Sequence, residues 1–244
     1  MKKENSLIFY DEVQKRLKKI IKTQHKKIKK IAKLFFETYK KEGMIYIFGT
    51  GHSHMMAEEG HFRAGGFAPI CPILSPDLML HESATLSSTI ERTEKISTKL
   101  LSKYNISSND ILMIYSNSGV NQSPVEAAIY GKEISSTVIS VVSCEYSNVA
   151  PLSKIGKKLT EISDYYIDNC GPIGDALVEI KNQHKVCAFS TISGSFILNS
   201  ILSEVANLAK DEEPFPFYIS ANIPNAKNNN NLLFEKYKKR NPHL

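Results

Sequence analysis

The chain has no apolar run near the ~20 residues that a membrane-spanning helix needs. Its first residues, MKKENSLIFYDEVQKRLKK, lack both a continuous apolar stretch and a small-residue cleavage site. No membrane association is expected, and the expected location is cytoplasmic. Cysteine is sparse too: Cys71, Cys144, Cys170 and Cys187 stand far apart with no CxxC pair. That excludes the spacing of a zinc ribbon or a disulfide framework and suits free thiols in a reducing compartment. Beyond the first segment the chain also lacks an excess of positive charge. Of 31 Lys+Arg and 25 Asp+Glu, residues 1–42 hold 14 and 5, which leaves 17 and 20 for the rest.

What is present fits a packed globular protein, with 42% hydrophobic and 23% charged residues. In the basic segment Leu7, Val13, Leu17, Ile20, Ile21, Ile28, Ile31, Ala32, Leu34, Phe35 and Tyr39 recur at spacings of three and four, with lysines between them. This reads as a long amphipathic helix over residues 1–42 that packs on the domain or on a second subunit. No aromatic interleaving supports base stacking, so no nucleic-acid partner is expected.

From Gly43 onward, strand and helix patterns alternate. Met44–Gly49, Ala68–Ser75, Asp110–Ser116, Ser136–Ser143 and the weaker Asp164–Asn169 read as strands, most without polar alternation, as in a sheet buried on both faces. Residues from Ser53, Leu78–Tyr104, the SPVEAAIYGKEI run and Ser193–Lys210 read as helices. The expected fold is an α/β three-layer αβα sandwich with a mainly parallel, flavodoxin-like sheet behind a long N-terminal helix. Residues 43–224 form the expected main domain, and 225–244 a tail that begins as an asparagine-rich loop and packs on the domain or a partner subunit.

Two loops at strand ends carry glycine and hydroxyls: G49-T-G-H-S53 and S116-N-S-G-V-N121. Glycine admits a ligand close to the backbone, and a following helix offers unpaired N–H groups, so a phosphate or carboxylate is the natural guest. Ser53 is also available as a helix N-cap. The first loop lacks the third glycine of a dinucleotide fingerprint, and no GK[ST] follows, which disfavours nucleotides.

The pair GTGHS and SNSGVN on successive turns resembles the SIS (sugar isomerase) domain, a phosphosugar-binding fold. The runs IFGTGHSHMMAEEGHFRAGG, LMLHESA, IYSNSGVN, IDNCGPIGDALVEI, STISGSFILNSI and FYISANIPN are similar, in that order, to a little-characterised bacterial branch of it known as sugar isomerase-like. The resemblance implies that Gly51, Ser53, Ser116, Asn117, Ser118, Gly119 and Asn121 bind the sugar phosphate, with Asn121 standing where the family has a hydroxyl; His52, between Gly51 and Ser53 in the first loop, is a further contact candidate. The resemblance does not fix the reaction, but with the two anion turns and a cluster of His and Glu residues it points to aldose–ketose isomerisation, and with the amphipathic first helix to a homodimer. The alternatives are a non-catalytic phosphosugar sensor and an amino-sugar-phosphate deaminase or etherase.

Isomerisation needs a base beside the carbonyl and a proton carrier for the oxygens, tasks that suit a carboxylate and a histidine. Glu59 and Glu82 are the base candidates, and His81 and His54 the proton carriers. His54, Glu58 and His61, at i, i+4 and i+7, would share one helix face and could hold zinc, although no cofactor is expected. In D168-N-C-G-P-I-G-D-A176 turn chemistry accounts for most residues, with Asp175 and Glu179 as the functional alternatives.

Overall fold

The unbroken apolar runs become the strands of one parallel sheet. In the computed structural model, which describes residues 4–182, 184–224 and 226–244, the strands are β1 (Ile45–Gly49), β2 (Ile70–Ile73), β3 (Ile111–Tyr115), β4 (Thr137–Val142) and β5 (Tyr165–Asp168). They pair in the order β2-β1-β3-β4-β5, all parallel. Alternate side chains leave the sheet on opposite faces. Ile45, Ile47, Ile111, Met113, Ile139 and Val141 pack into one core, and Tyr46, Phe48, Leu112, Ile114, Val138 and Val142 into another. Both faces are apolar, which is why the strands show no alternation in sequence.

The first core is covered by α1 (Asn5–Lys40), α2 (Met55–Gly60) and α8 (Ser190–Leu208); the second by α3 (Ala84–Ile90), α4 (Ile96–Leu101), α5 (Gln122–Glu133), α6 (Cys144–Ser147), α7 (Leu159–Ile162) and α9 (Ala226–Tyr237). This is the expected three-layer sandwich. The amphipathic face of α1 lies on the domain itself, burying Ile20, Ile28, Ile31, Ala32 and Phe35.

Two expectations need correction, and one element lies beyond the expected set. Leu78–Tyr104 is not continuous helix, because α3 and α4 are separated and α4 begins after Lys95 in the left-handed region at φ 64°. The break is held from elsewhere: Glu126, buried on α5, accepts from Lys95 N at 2.7 Å and Thr98 N at 2.9 Å. The asparagine-rich stretch is the body of α9, where Asn230 exchanges two hydrogen bonds with the Ile219 backbone at 2.9 and 2.7 Å and Asn229 donates to Phe217 O at 3.2 Å. Tertiary bonds override weak helix propensity there. Finally, residues after the turn at Gly174 form an antiparallel hairpin, β6 (Ala176–Lys181) and β7 (His184–Ala188).

At the amino end of the sheet, Asp110, 1% exposed, collects four donors: Met44 N at 2.7 Å, Ser107 N at 2.7 Å, Ser107 Oγ at 2.8 Å and Arg240 Nη2 at 2.7 Å. The chain end is thereby tied under β1 and β3. Beside it Asn241, also 1% exposed, donates to Ile70 O at 3.2 Å and accepts from Cys71 Sγ at 3.5 Å.

Candidate functional site

The strand order reverses between β1 and β3, so the turns leaving these neighbours diverge to opposite faces and open a crevice between them. After β1 the chain makes a 3-10 turn, Gly51–His54, directly over the strand end. A Cβ at Gly49 would stand 2.5 Å from Ser53 O, so only glycine permits that fold-back. Gly51 adopts φ 53°, with open space where a side chain would be. Ser53 is not the N-cap; its N–H bonds Thr50 O at 3.0 Å and its side chain lines the crevice. After β3, Ser116 Oγ accepts from Gly119 N at 3.2 Å, which leaves the hydroxyl proton available for a ligand.

The crevice is a cleft of ≈ 370 Å³ lined by Gly51, His52, Ser53, Ser116, Asn117, Ser118 and Asn121. Seven of the eight binding candidates therefore meet in one place. The eighth, Gly119, shapes the turn at φ 65°, its N–H taken by Ser116 and its carbonyl by Leu159 N at 2.7 Å. Inward the cleft narrows to a slot between Met56, Tyr115, Val141, Asn169 and the start of α8 at Ser190, Thr191 and Gly194. Burial pushes the Tyr115 phenol up, and its buried hydroxyl has no partner among the described residues.

The catalytic candidates lie elsewhere. Glu59 faces α8, paired with the Arg63 guanidinium and accepting from Ser195 Oγ at 3.5 Å and Asn199 Nδ2 at 3.4 Å. His81 and Glu82 pair with each other at 3.5 Å, with side chains 57% and 66% exposed, and neither lines the cleft. His54 binds Gly51 O through Nδ1 and Glu58 Oε2 through Nε2 at 3.2 Å, so both ring nitrogens are engaged. The i, i+4 relation of His54 and Glu58 holds, but α2 ends at Gly60 and His61 turns into extended backbone. There its Nε2 meets His243 O at 3.3 Å and its Nδ1 meets Asn241 Nδ2 at 3.5 Å. Among the described residues no three His, Cys, Asp or Glu side chains converge as metal ligands. His54, Glu58 and His61 as arranged do not fit a zinc ion.

The carboxylate that does line the cleft is Glu91, at the C-terminal end of α3, with Arg92 beside it. Glu91 Oε1 accepts from Thr50 Oγ1 at 2.5 Å and from Asn121 Nδ2 at 3.0 Å, while Ser123 N donates to the Glu91 carbonyl at 3.0 Å. Among the described residues Oε2 accepts no bond. Arg92 is held over Ser88, with Nη1 2.6 Å from its Oγ. Sequence patterns missed both residues because they fall inside what reads as uninterrupted helix. In D168-N-C-G-P-I-G-D-A176, Asp175 is structural: its carboxylate takes Phe189 N at 3.1 Å, Ser190 N at 2.7 Å and Ser190 Oγ at 2.6 Å, capping α8. Glu179 lies exposed on β6, and the residue of this segment that reaches the cleft is Asn169.

Residues 8–143 match the model of the SIS domain family. The chain belongs to the SIS domain family. UPF0309 proteins of Brucella canis and Brucella ovis are each 40% identical to it over 237 residues, covering 97% of both chains. Among solved structures, phosphoheptose isomerase from Neisseria gonorrhoeae superposes with a TM-score of 0.51 at 14% identity, over 82% of this chain and 95% of that one. A phosphoheptose isomerase from Francisella tularensis gives 0.52 at 11% identity, over 81% and 94%. At that identity these two likenesses show the shared fold. Membership in the SIS family and the cleft at the strand switch together support a phosphosugar-binding, isomerase-like role.

Proposed function

We propose that this SIS protein binds a phosphorylated sugar across the β1 and β3 turns and isomerises it between aldose and ketose forms. The phosphate lies against Ser53, Ser116, Ser118 and Asn117, with Arg92 supplying positive charge at the same mouth. Glu91 is the base: it removes the proton α to the carbonyl and returns it to the neighbouring carbon, while Thr50 and Asn121 hold Oε1 and leave Oε2 for the transfer. His52 lines both the mouth and the inner slot and is placed to move a proton between the sugar oxygens. The observation that carries this reading is a carboxylate braced on one oxygen, in one cleft with two glycine-serine turns.

The experiment is incubation of aldose, ketose and amino-sugar phosphates in D2O with NMR detection. Deuterium is expected at the carbon next to the carbonyl of one of them; exchange and product absent throughout would refute the isomerase. Thermal stabilisation by a sugar phosphate that Glu91→Gln leaves intact, with no turnover by either protein, would make sensing the better account.

We also expect a cytoplasmic homodimer. Among the described residues no helix is long and apolar enough to cross a membrane. Leu7 and Tyr10 on α1 and Ile180 and Val186 on the hairpin are 48%, 56%, 54% and 45% exposed, apolar side chains of the kind that a second copy would cover. Light scattering that returns a monomer mass would contradict it.

A further inference from the structure

The turn after β3 is tied to the segment leaving β5 by side-chain bonds whose directions can be worked out. Asn169, 3% exposed, donates its backbone N–H to Val142 O at 2.8 Å and lines the inner slot. Its Oδ1 accepts from Gly171 N at 2.7 Å, and its Nδ2 donates to Asn117 Oδ1 at 3.0 Å. A backbone N–H can only donate, so Asn169 must turn its oxygen to Gly171 and its NH2 to Asn117. Asn117 must answer with its own oxygen. An amide carries one oxygen and one NH2 on the same carbon, so the Asn117 NH2 is turned away from Asn169. That NH2 has no partner among the described residues, and Asn117 lines both the mouth and the slot.

The surroundings hold this arrangement closely. A Cβ at Gly171 would come 2.9 Å from Asn169 Oδ1 and 3.4 Å from Asn117 Oδ1. Ser143 Oγ donates to Gly171 O at 2.7 Å, and Ser143 N to Asn117 O at 2.9 Å. The β5 segment thus grips the β3 turn through the Asn169–Asn117 side-chain bond, and Ser143, at the end of β4, ties the two main chains together.

We propose that Asn169 is a positioning residue that locks the Asn117 amide with its NH2 toward the cleft, making Asn117 a donor to the bound anion. The inference deepens the anion-binding reading above and rests on it. Asn169→Asp tests it with almost no change of shape. The introduced carboxylate still accepts from Gly171 but puts an oxygen where the NH2 stood, so Asn117 turns its amide over and presents Oδ1 to the ligand.

The probe is sulfate, followed by calorimetry from neutral to mildly acidic pH with the unaltered protein as reference at each point. N169D is expected to bind at least about tenfold more weakly at neutral pH, the size of one lost bond to a charged group. Relative to the reference, binding recovers on acidification as the introduced carboxyl protonates and its O–H again donates to Asn117. A merely structural role gives no such recovery. Asn117→Asp keeps the acceptor for Asn169 while turning a second carboxylate oxygen to the cleft, so N117D also loses sulfate and serves if N169D does not fold. Wild-type affinity in either variant, or weak binding in N169D at every pH, would overturn the proposal.

The orientation is also read without ligand. The Asn117 side-chain 15N–1H resonances, assigned by their loss in N117D, shift in N169D; unmoved resonances overturn the lock. An unaltered protein that binds neither sulfate nor a sugar phosphate would instead sink the anion-binding reading, whatever the resonances show.

Discussion

The two ends of the central sheet use polar groups in opposite ways. At the amino end Asp110 is fully buried and fully answered, with four donors gathered from Met44, Ser107 and Arg240. Among the described residues at the carboxyl end, Ser118 and the Asn117 NH2 make no bond and the buried Tyr115 hydroxyl has no partner. A buried polar group left unpaired costs stability, so its persistence marks a place kept for a ligand or water. One end of the sheet contributes cohesion and the other keeps binding capacity.

The sharpest way to break that contrast is at Glu91. Glu91→Gln should lower turnover of whichever sugar phosphate exchanges deuterium by about 10²- to 10⁴-fold, the usual contribution of a general base, with the urea midpoint nearly unmoved. Equal loss of stability and turnover would place Glu91 with the structural groups instead. The opposite outcome is expected of Asp110→Ala, which strands the Arg240 guanidinium and two backbone N–H groups. It should cost about 3–5 kcal/mol in urea unfolding, while sulfate affinity of the folded fraction stays the same.

Ser118→Ala should be smaller and confined to binding. It removes a hydroxyl that bonds to nothing else among the described residues, so affinity for a sugar phosphate should fall by about 1.5–3 kcal/mol with an unchanged melting temperature. The smallest effect belongs to the chain end. Desolvation by burial lowers the pKa of both His61 and His243 below the ordinary 6.5. With the folded values depressed, the unfolded chain binds more protons as pH falls through and below 6.5, so this contribution to stability is present at higher pH and declines on acidification. Melting temperatures from pH 7.5 to 5 in His61→Gln and His243→Gln should fall less steeply than in the unaltered protein.

Much of this was legible in the sequence where the physics is local. β1, β3 and β4 announce themselves as unbroken apolar runs because both faces are covered, and the two anion turns are visible because each demands glycine at a fixed step from the strand end. Gly60 could have warned that His61 leaves the helix: a Cβ there would stand 3.1 Å from Ile47 Cδ1 and 3.3 Å from Ile70 Cδ1, so α2 closes on bare backbone against the sheet. Glu91 was hidden for a non-local reason. The chain breaks after α3 because Glu126, some thirty residues later, caps α4, and nothing in the ERTEK run records that. Asn169 was hidden likewise, since its role exists only through Gly171 and Asn117.

Asn241 has a bearing on solubility. β2 is the outer strand on its side of the sheet, and the Asn241 amide occupies its Ile70 carbonyl. Residues 216–218 cover the approach to the same edge, with Ala68 N bonded to Pro216 O at 2.9 Å and Tyr218 N to Gly66 O at 2.9 Å. Removing residues 240–244 would bare the Ile70 carbonyl and apolar surface beside β2 and should lower solubility, although Pro72, which has no N–H, and the Ile70 N–H bonded to Phe67 O already make that edge a poor template for strand addition.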